Sequence, residues 1–292
     1  MMVIFNPTAG RQRSHLLWRV LDLLSASGVR LEVAETHHAG HAAALAREAM
    51  AGGAKLVVAA GGDGTIAEVV EGIAGGGTRL GVIPLGTANV LAHEFGLPFT
   101  PRAVAAALAF GHTRTLWPGI AHGSEGDRVF VQMLGVGLDA QVVHRLSLPL
   151  KRAIGRGAYV AQTMRELVRY EFAPLQVRLD GLDVRALSVI VSKGRLYGGR
   201  YTLAPSARPS EPGFTVALFN GAGPLSALLY GTALPLNLLP RMPGLRLVRA
   251  GQIEILGGEG AGTSPAQADG DPAGCTPISI ADAAGPVQVI IA

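Results

Sequence analysis

The chain has 292 residues, 49% of them hydrophobic and 16% charged, with a positive mean hydropathy, which excludes general disorder and leaves room for one large or two ordinary domains. The balance of 25 basic against 21 acidic residues is a formal +4, and aromatics make up 5%. No basic stripe interleaved with aromatics supports nucleic-acid binding, while the small positive excess suits weak attraction to an anionic membrane face or to nucleotide phosphates.

Met1 to Phe5 has no basic n-region and runs at once into Asn6-Pro7, so no signal peptide is expected and a cytoplasmic location is. The single cysteine, Cys275, excludes an intrachain disulfide and fits a reducing compartment. Val3-Ile4-Phe5 reads as a first strand, Asn6-Pro7-Thr8-Ala9-Gly10-Arg11 as a polar turn, and Ser14 to Ser25 as a helix with Leu16, Leu17, Val20, Leu21 and Leu24 on one face. A strand over Val29 to Ala34 and a helix over Gly40 to Met50 follow. His37, His38 and His41 straddle that helix start without a carboxylate or cysteine cluster, and exposure or capping explains them better than a metal.

The apolar run Leu56 to Ala60 reads as a buried parallel strand, Gly61-Gly62-Asp63-Gly64-Thr65 as a glycine turn, and Ile66 to Glu71 as the helix beyond it. Such a turn lets backbone N–H groups approach a phosphate, and the helix N-terminus adds partial positive charge. Asp63 in that place calls for Mg²⁺ or a hydrogen-bond acceptor role. Leu80 to Ile83 is the next strand, leading into Pro84-Leu85-Gly86-Thr87-Ala88-Asn89 and helices over Val90 to Phe95 and Arg102 to Phe110. Thr87 and Asn89 suit a helix cap or a ligand shared with the glycine turn. Strands alternating with helices indicate an open, mainly parallel sheet whose ligands sit beyond the carboxyl ends of the strands.

From about Thr113 the pattern turns to strands: Val129 to Met133, Val177 to Leu179, Leu187 to Val191, Phe214 to Phe219, Ile253 to Leu256 and Val287 to Ile291. Helices interrupt at Ala158 to Tyr170 and around Leu225 to Tyr230. The basic stretch from Lys151-Arg152 to Arg169 suits a solvated face or anionic lipid. Leu225 to Leu239 is broken by Pro235, too short to span a membrane, and reads as core or as a lipid-facing wall. Gly257 to Gly274 reads as a loop. In Gln267-Ala268-Asp269-Gly270-Asp271 the Asp-Gly pair is a hairpin turn on the plain reading, and a general base for a substrate hydroxyl on the functional one.

The ordered set Asn6-Pro7-x-x-Gly10, Gly61 to Thr65 with Glu68-Val69, Pro84-x-Gly86-Thr87-x-Asn89, Gly135-x-Gly137-x-Asp139-Ala140 and Asp269-Gly270-Asp271 resembles the bacterial diacylglycerol kinase and sphingosine kinase-like lipid kinases over nearly the whole chain. The resemblance implies an α/β N-terminal domain with an open, mainly parallel, NAD kinase-like sheet over 1–118, and a mostly β C-terminal sandwich domain over 119–292 that takes the lipid. It also implies ATP-dependent, Mg²⁺-assisted phosphorylation of a lipid hydroxyl at an anionic membrane surface, with the protein peripheral to it. On that resemblance Gly61, Gly62, Asp63, Gly64 and Thr65 cradle the nucleotide phosphates, Asn6, Gly86, Thr87 and Asn89 line the pocket, and Asp269 is the general base. Asp63 and Asp271 are the metal candidates; Asp271 stands where the family usually has Glu. Val90 replaces a usual Asp of the metal network, and Glu211-Pro212-Gly213 departs from a usual Asp-Gly, so a second, structural Mg²⁺ is not carried over. The rival readings are a soluble NAD kinase-like enzyme and a non-catalytic nucleotide- or lipid-binding protein. The acceptor lipid is left open, and a homodimer is compatible with the chain.

Overall fold

A computed structural model describes residues 1–9, 14–145, 172–258 and 262–292. Gly10, Arg11 and Arg13 of the first turn, the helix expected at Ala158 to Tyr170 and the basic stretch from Lys151 to Arg169 lie outside the described residues. The chain divides into two compact units, one of Met1–Pro118, Pro209–Glu211 and Ala283–Ala292, the other of Gly119–Arg208 and Pro212–Asp282.

The first unit begins β1 (Met2–Phe5), α1 (Ser14–Ala26), β2 (Glu32–Glu35), α2 (His41–Ala51), β3 (Leu56–Gly61), α3 (Asp63–Ile73) and β4 (Arg79–Pro84), followed by α4 (Val90–Glu94), α5 (Pro101–Phe110) and β5 (His112–Leu116). Strands β2, β1, β3 and β4 lie side by side and parallel. Every residue of β3 is buried, as a central strand covered on both faces requires. Leu17, Val20 and Leu24 of α1 pack with Val3 and Phe5 of β1 and with Val58 and Ala60 of β3, so the helical spacing and the strand run close one core.

The second unit holds β6 (Gly119–Gly123), β7 (Gly126–Phe130), β8 (Met133–Val136), α6 (Leu138–Arg145), β9 (Leu175–Leu179), β10 (Leu182–Ala186), β11 (Ser188–Ser192), β12 (Leu196–Tyr197) and β13 (Tyr201–Thr202). It continues with β14 (Phe214–Phe219), α7 (Gly223–Ala233), β15 (Leu245–Ala250), β16 (Ile253–Gly258), β17 (Pro265–Ala268), β18 (Asp271–Cys275) and β19 (Ile278–Asp282). Two six-stranded antiparallel sheets form, ordered β10-β9-β16-β19-β6-β7 and β15-β14-β11-β8-β17-β18. Their inner side chains, among them Val177, Ile255 and Ile278 from one sheet and Leu134, Val191 and Val216 from the other, share one core, which is the construction of a β-sandwich. Fully buried Lys193 belongs to this unit: its ammonium meets the Asp282 carboxylate at 2.6 Å and the Gly213 carbonyl at 3.0 Å, and lies 4.4 Å from the centre of the Phe214 ring. Burial pushes its pKa down against the pull of Asp282. The Lys193 ammonium thus stands at the Gly213 carbonyl of the Glu211 to Phe214 segment.

Four expectations change. The last strand, β20 (Val287–Ile291), joins the first unit's sheet, parallel to β4 and antiparallel to β5. Residues 283–292, assigned by sequence to the second domain, thus complete the first, because the apolar run suits a sheet covered on both faces. Gly257 to Gly274 is not wholly a loop but contains the β17–β18 hairpin. Pro265-Ala266-Gln267-Ala268 has little β-propensity, and pairing with β8 supplies the context that propensity omits. The run Val129 to Met133 breaks between β7 and β8, where its N–H groups turn to a side chain described below. Leu225, Leu228, Leu229, Leu236 and Leu238 of the Leu225 to Leu239 segment are exposed rather than core, while Leu239 is buried.

Candidate functional site

The first unit gathers its glycine and Asn-Pro turns at the carboxyl ends of β1, β3 and β4. Asn6 ties the first to the second. Its Nδ2 donates to Thr65 Oγ1 at 3.0 Å, while its Oδ1 accepts from the Thr8 N–H, the Thr8 hydroxyl and the Ala9 N–H at 3.0, 2.8 and 3.3 Å. Both ends of the amide hold turns in place, so Asn6 is a positioning residue in this arrangement. Thr65 is buried, and a Cβ on Gly61 would lie 2.5 Å from its Oγ1. Only glycine lets α3 start that close to the end of β3.

The Gly61 carbonyl accepts the N–H groups of Leu85 at 2.9 Å and Gly86 at 3.2 Å, drawing the second glycine turn onto the third. A Cβ on Gly86 would stand 2.6 Å from Gly62 Cα and 2.8 Å from Asn89 Oδ1. Asp63 adds a third tie. Its Oδ1 accepts the Leu91 N–H at 3.1 Å, and the N–H groups of Val90 and Asn89 also face the carboxylate. Asn89 precedes α4 at φ 48 and makes no side-chain cap bond, so Asp63 caps α4 from a distance. Burial pushes the Asp63 pKa up, with those N–H groups opposing. Val90 is itself buried and contributes an N–H to Asp63. Glu68 of the same motif accepts the Ala42 N–H at 3.1 Å and so caps α2, whose Gly40 offers no side chain.

Two features of this edge ask for a ligand. Helix α3 begins after Gly62 with no side-chain cap, so N–H groups of its first turn have no partner from a capping side chain. Asn89 is 1% exposed, its Nδ2 donates to the Gly86 carbonyl at 2.7 Å, and its Oδ1 is buried without a partner. An orphaned buried acceptor is costly, by about 1–3 kcal/mol, unless a donor arrives. Gly64 is half-buried and Thr87 exposed on the same edge. These residues fit a nucleotide, with phosphate at the N–H groups and a hydroxyl, an amino group or metal-bound water at Asn89. Among the described residues no group of three or more His, Cys, Asp or Glu gathers. Asp63 is a carboxylate on this edge, and with its Oδ1 taken by the Leu91 N–H a Mg²⁺ ion there would be held chiefly through phosphate oxygens and water. The His41 ring instead stacks on His38 and meets His37 at a tilt, with the His37 N–H donating to His41 Nδ1 at 3.1 Å.

In the second unit Asp269 and Gly270, at φ 50 and φ 89, form the two-residue turn between β17 and β18, the geometry favoured in a tight hairpin. The Asp269 carboxylate accepts three backbone N–H groups, from Val131 at 2.7 Å on Oδ2 and from Gln132 and Met133 at 2.9 Å each on Oδ1. This is why β7 and β8 separate. Asp271 is 43% exposed, 4.0 Å from Arg128.

Three residues that sequence reasoning gave no role complete the cluster. Gln267 donates from Nε2 to Asp139 Oδ2 at 2.6 Å and accepts the Gly270 N–H on Oε1 at 2.8 Å. The Tyr197 hydroxyl donates to Asp139 Oδ1. Asp139 therefore fixes the hairpin turn through Gln267. Gly135 is glycine because any Cβ there would strike Asp139 and Gln267. The signal was present in Gly135-x-Gly137-x-Asp139, where a small residue faces a polar one. The Gln132 side chain, 1% exposed, has both amide atoms buried without a partner.

Burial pushes the Asp139 pKa up, opposed by Tyr197 and Gln267. The folded state then holds a proton that the unfolded chain releases, so this group's stabilisation is full below the usual carboxylate range and is lost as pH rises through the raised value. An Asp139→Asn variant is expected to show a flatter fall of unfolding free energy with pH from about pH 4 upward, by at most about 1.4 kcal/mol per pH unit. Urea titrations of both proteins across that range read the slope. Parallel slopes would remove Asp139 from the account.

The family described as "Diacylglycerol kinase catalytic domain" matches residues 1–119, and that described as "YegS C-terminal NAD kinase beta sandwich-like domain" matches residues 132–291. A Pseudomonas putida protein named "Probable lipid kinase YegS-like" is 32% identical over 216 residues, 71% of this chain and 72% of the relative. A Bacillus subtilis protein named "Diacylglycerol kinase" is 31% identical over 227 residues, 75% of this chain and 73% of the relative. One solved structure from Bacillus anthracis aligns with a TM-score of 0.79 at 21% identity, covering 100% of this chain and 94% of its own. Another from that organism, described as a diacylglycerol kinase, aligns at 0.72 with 19% identity, covering 100% and 96%. At those identities the structures speak to the shared fold.

Proposed function

The chain belongs to the family of diacylglycerol kinase-like lipid kinases, and from that premise we propose that it transfers the γ-phosphate of ATP, with Mg²⁺, to the hydroxyl of a membrane lipid. The observation that carries the nucleotide half is the uncapped start of α3 beside the orphaned Asn89 Oδ1. Together they offer donors for phosphate and an acceptor for the rest of a nucleotide. In this reading the α3 N–H groups bind and orient the phosphates, Gly62 and Gly64 let them approach, and Asn6 and Asp63 hold the turns that carry them. Mg²⁺, when bound, neutralises charge on the transferring group.

The acceptor oxygen bonds to the γ-phosphorus, the bond from that phosphorus to the β,γ-bridging oxygen breaks, and ADP leaves with the electron pair. The hydroxyl proton passes to the Asp269 carboxylate. Asp139, Gln267 and Tyr197 position the turn from which Asp269 acts.

Incubation with labelled ATP and an extracted bacterial lipid mixture, with Mg²⁺ present or chelated, tests the proposal. Organic-soluble label that falls at least about 100-fold on chelation is expected, since charge neutralisation carries much of phosphoryl transfer. Label appearing only when NAD is offered, or in no acceptor at all, would overturn the lipid assignment.

A further inference from the structure

Helix α7 and the turn behind it present an apolar surface outward. The helix sequence Gly-Pro-Leu-Ser-Ala-Leu-Leu-Tyr-Gly-Thr-Ala has no charged residue, and only Ala233 of it is buried. A helix apolar on every side belongs in a core or in lipid. It is held to its sheet through Tyr230, whose ring meets Phe219 edge-on at 5.4 Å and whose hydroxyl donates to the Pro243 carbonyl at 3.0 Å. The approach needs a glycine at 244, where a Cβ would lie 2.6 Å from the Tyr230 oxygen.

At 100° per residue, Leu225, Leu228 and Leu229 share the i, i+3, i+4 face that points away from Tyr230. Leu225 is 70% exposed, Leu228 40% and Leu229 48%, and Leu236 and Leu238 extend the patch at 67% and 45%. Five exposed leucines in one segment are not the scattered apolar residues of an ordinary surface. Along this stretch of chain the charge has one sign. No Asp or Glu occurs between Glu211 and Glu254, while Arg241 and Arg246 are both exposed there.

We propose that α7 and the residues through Arg246 are the element by which this protein docks on an anionic bilayer, with the leucines in the acyl boundary and the arginines at lipid phosphates. A second copy suits the patch less well, since a two-fold pairing would bring the same arginines of both copies together. The inference deepens the proposed lipid kinase reading, in which the acceptor resides in such a surface. Vesicle binding needs neither ATP nor transfer, so the two readings fail separately.

The test is co-sedimentation of the full chain with phosphatidylcholine vesicles with and without phosphatidylglycerol. The expected results are binding to the phosphatidylglycerol vesicles, a loss of about tenfold or more for Leu225→Gln/Leu229→Gln, and a loss of about tenfold for Arg241→Gln/Arg246→Gln on anionic vesicles alone. All substituted side chains are exposed or at the surface, and unchanged thermal unfolding verifies the fold. Three outcomes would overturn the proposal: no binding by the unaltered chain, equal binding by both variants, or a lipid-free dimer that the leucine variant dissociates while vesicle binding stays the same.

Discussion

An Asp269→Asn variant is expected to lose about 10²- to 10⁴-fold in phosphoryl transfer and to unfold more easily by about 1–3 kcal/mol. The two effects have different origins. Asparagine adopts positive φ readily, so the turn at φ 50 survives. Its single oxygen best serves the Gln132 and Met133 N–H groups, which leaves its amide nitrogen facing the Val131 N–H that Oδ2 accepts at 2.7 Å. Donor against donor accounts for the stability loss, and removal of the proton acceptor for the loss of transfer. Gln267→Met separates the roles, because it breaks the bond from the Gly270 N–H to Gln267 Oε1 and leaves the carboxylate intact. That variant should show a similar drop in unfolding free energy, with transfer reduced no more than about tenfold. If both variants lose activity in step with their folded fraction, Asp269 is an anchor of the turn and not the base.

What the sequence disclosed follows from how local each signal is. Strand β3, the glycine turn and α3 are contiguous, so periodicity and turn chemistry located them together. The α/β order of the first unit followed from repetition of that pattern. Asp63 was legible as an acceptor in a phosphate turn, but its partner N–H groups belong to residues 89–91, and no local pattern joins positions that far apart. The same holds for Asp269, whose three N–H donors lie more than 130 residues upstream, and for Gln267, flanked by alanines with no β-branched neighbour. Strand β20 read as a strand by its composition alone, whereas its sheet depended on long-range pairing with Leu80 and with β5. Leu225 to Leu239 stayed open between core and a lipid-facing wall. Apolar spacing says that a face is greasy without saying whether protein covers it.

Gly86→Ala is expected to weaken ATP binding by about 100-fold or more and stability by about 1–3 kcal/mol. The added Cβ would sit 2.6 Å from Gly62 Cα, which is backbone and cannot rotate away, and 2.8 Å from Asn89 Oδ1. Relief requires the two turns to part. Parting them stretches the bonds from the Leu85 and Gly86 N–H groups to the Gly61 carbonyl, loosens the hold of Asp63 on α4, and moves Asn89 relative to the start of α3. The same contact viewed from the other turn gives the control. Gly62 is in extended backbone, and a Cβ there would meet Gly86 Cα at 3.4 Å, an ordinary contact. Gly62→Ala should therefore leave unfolding free energy within about 0.5 kcal/mol, and any loss of ATP affinity it shows reports a methyl group standing in the way of phosphate. The shift of melting temperature with ATP concentration measures affinity and stability together in each variant. Normal ATP-induced stabilisation of Gly86→Ala would mean that the two turns do not need to touch, and that the nucleotide lies elsewhere than on this sheet edge.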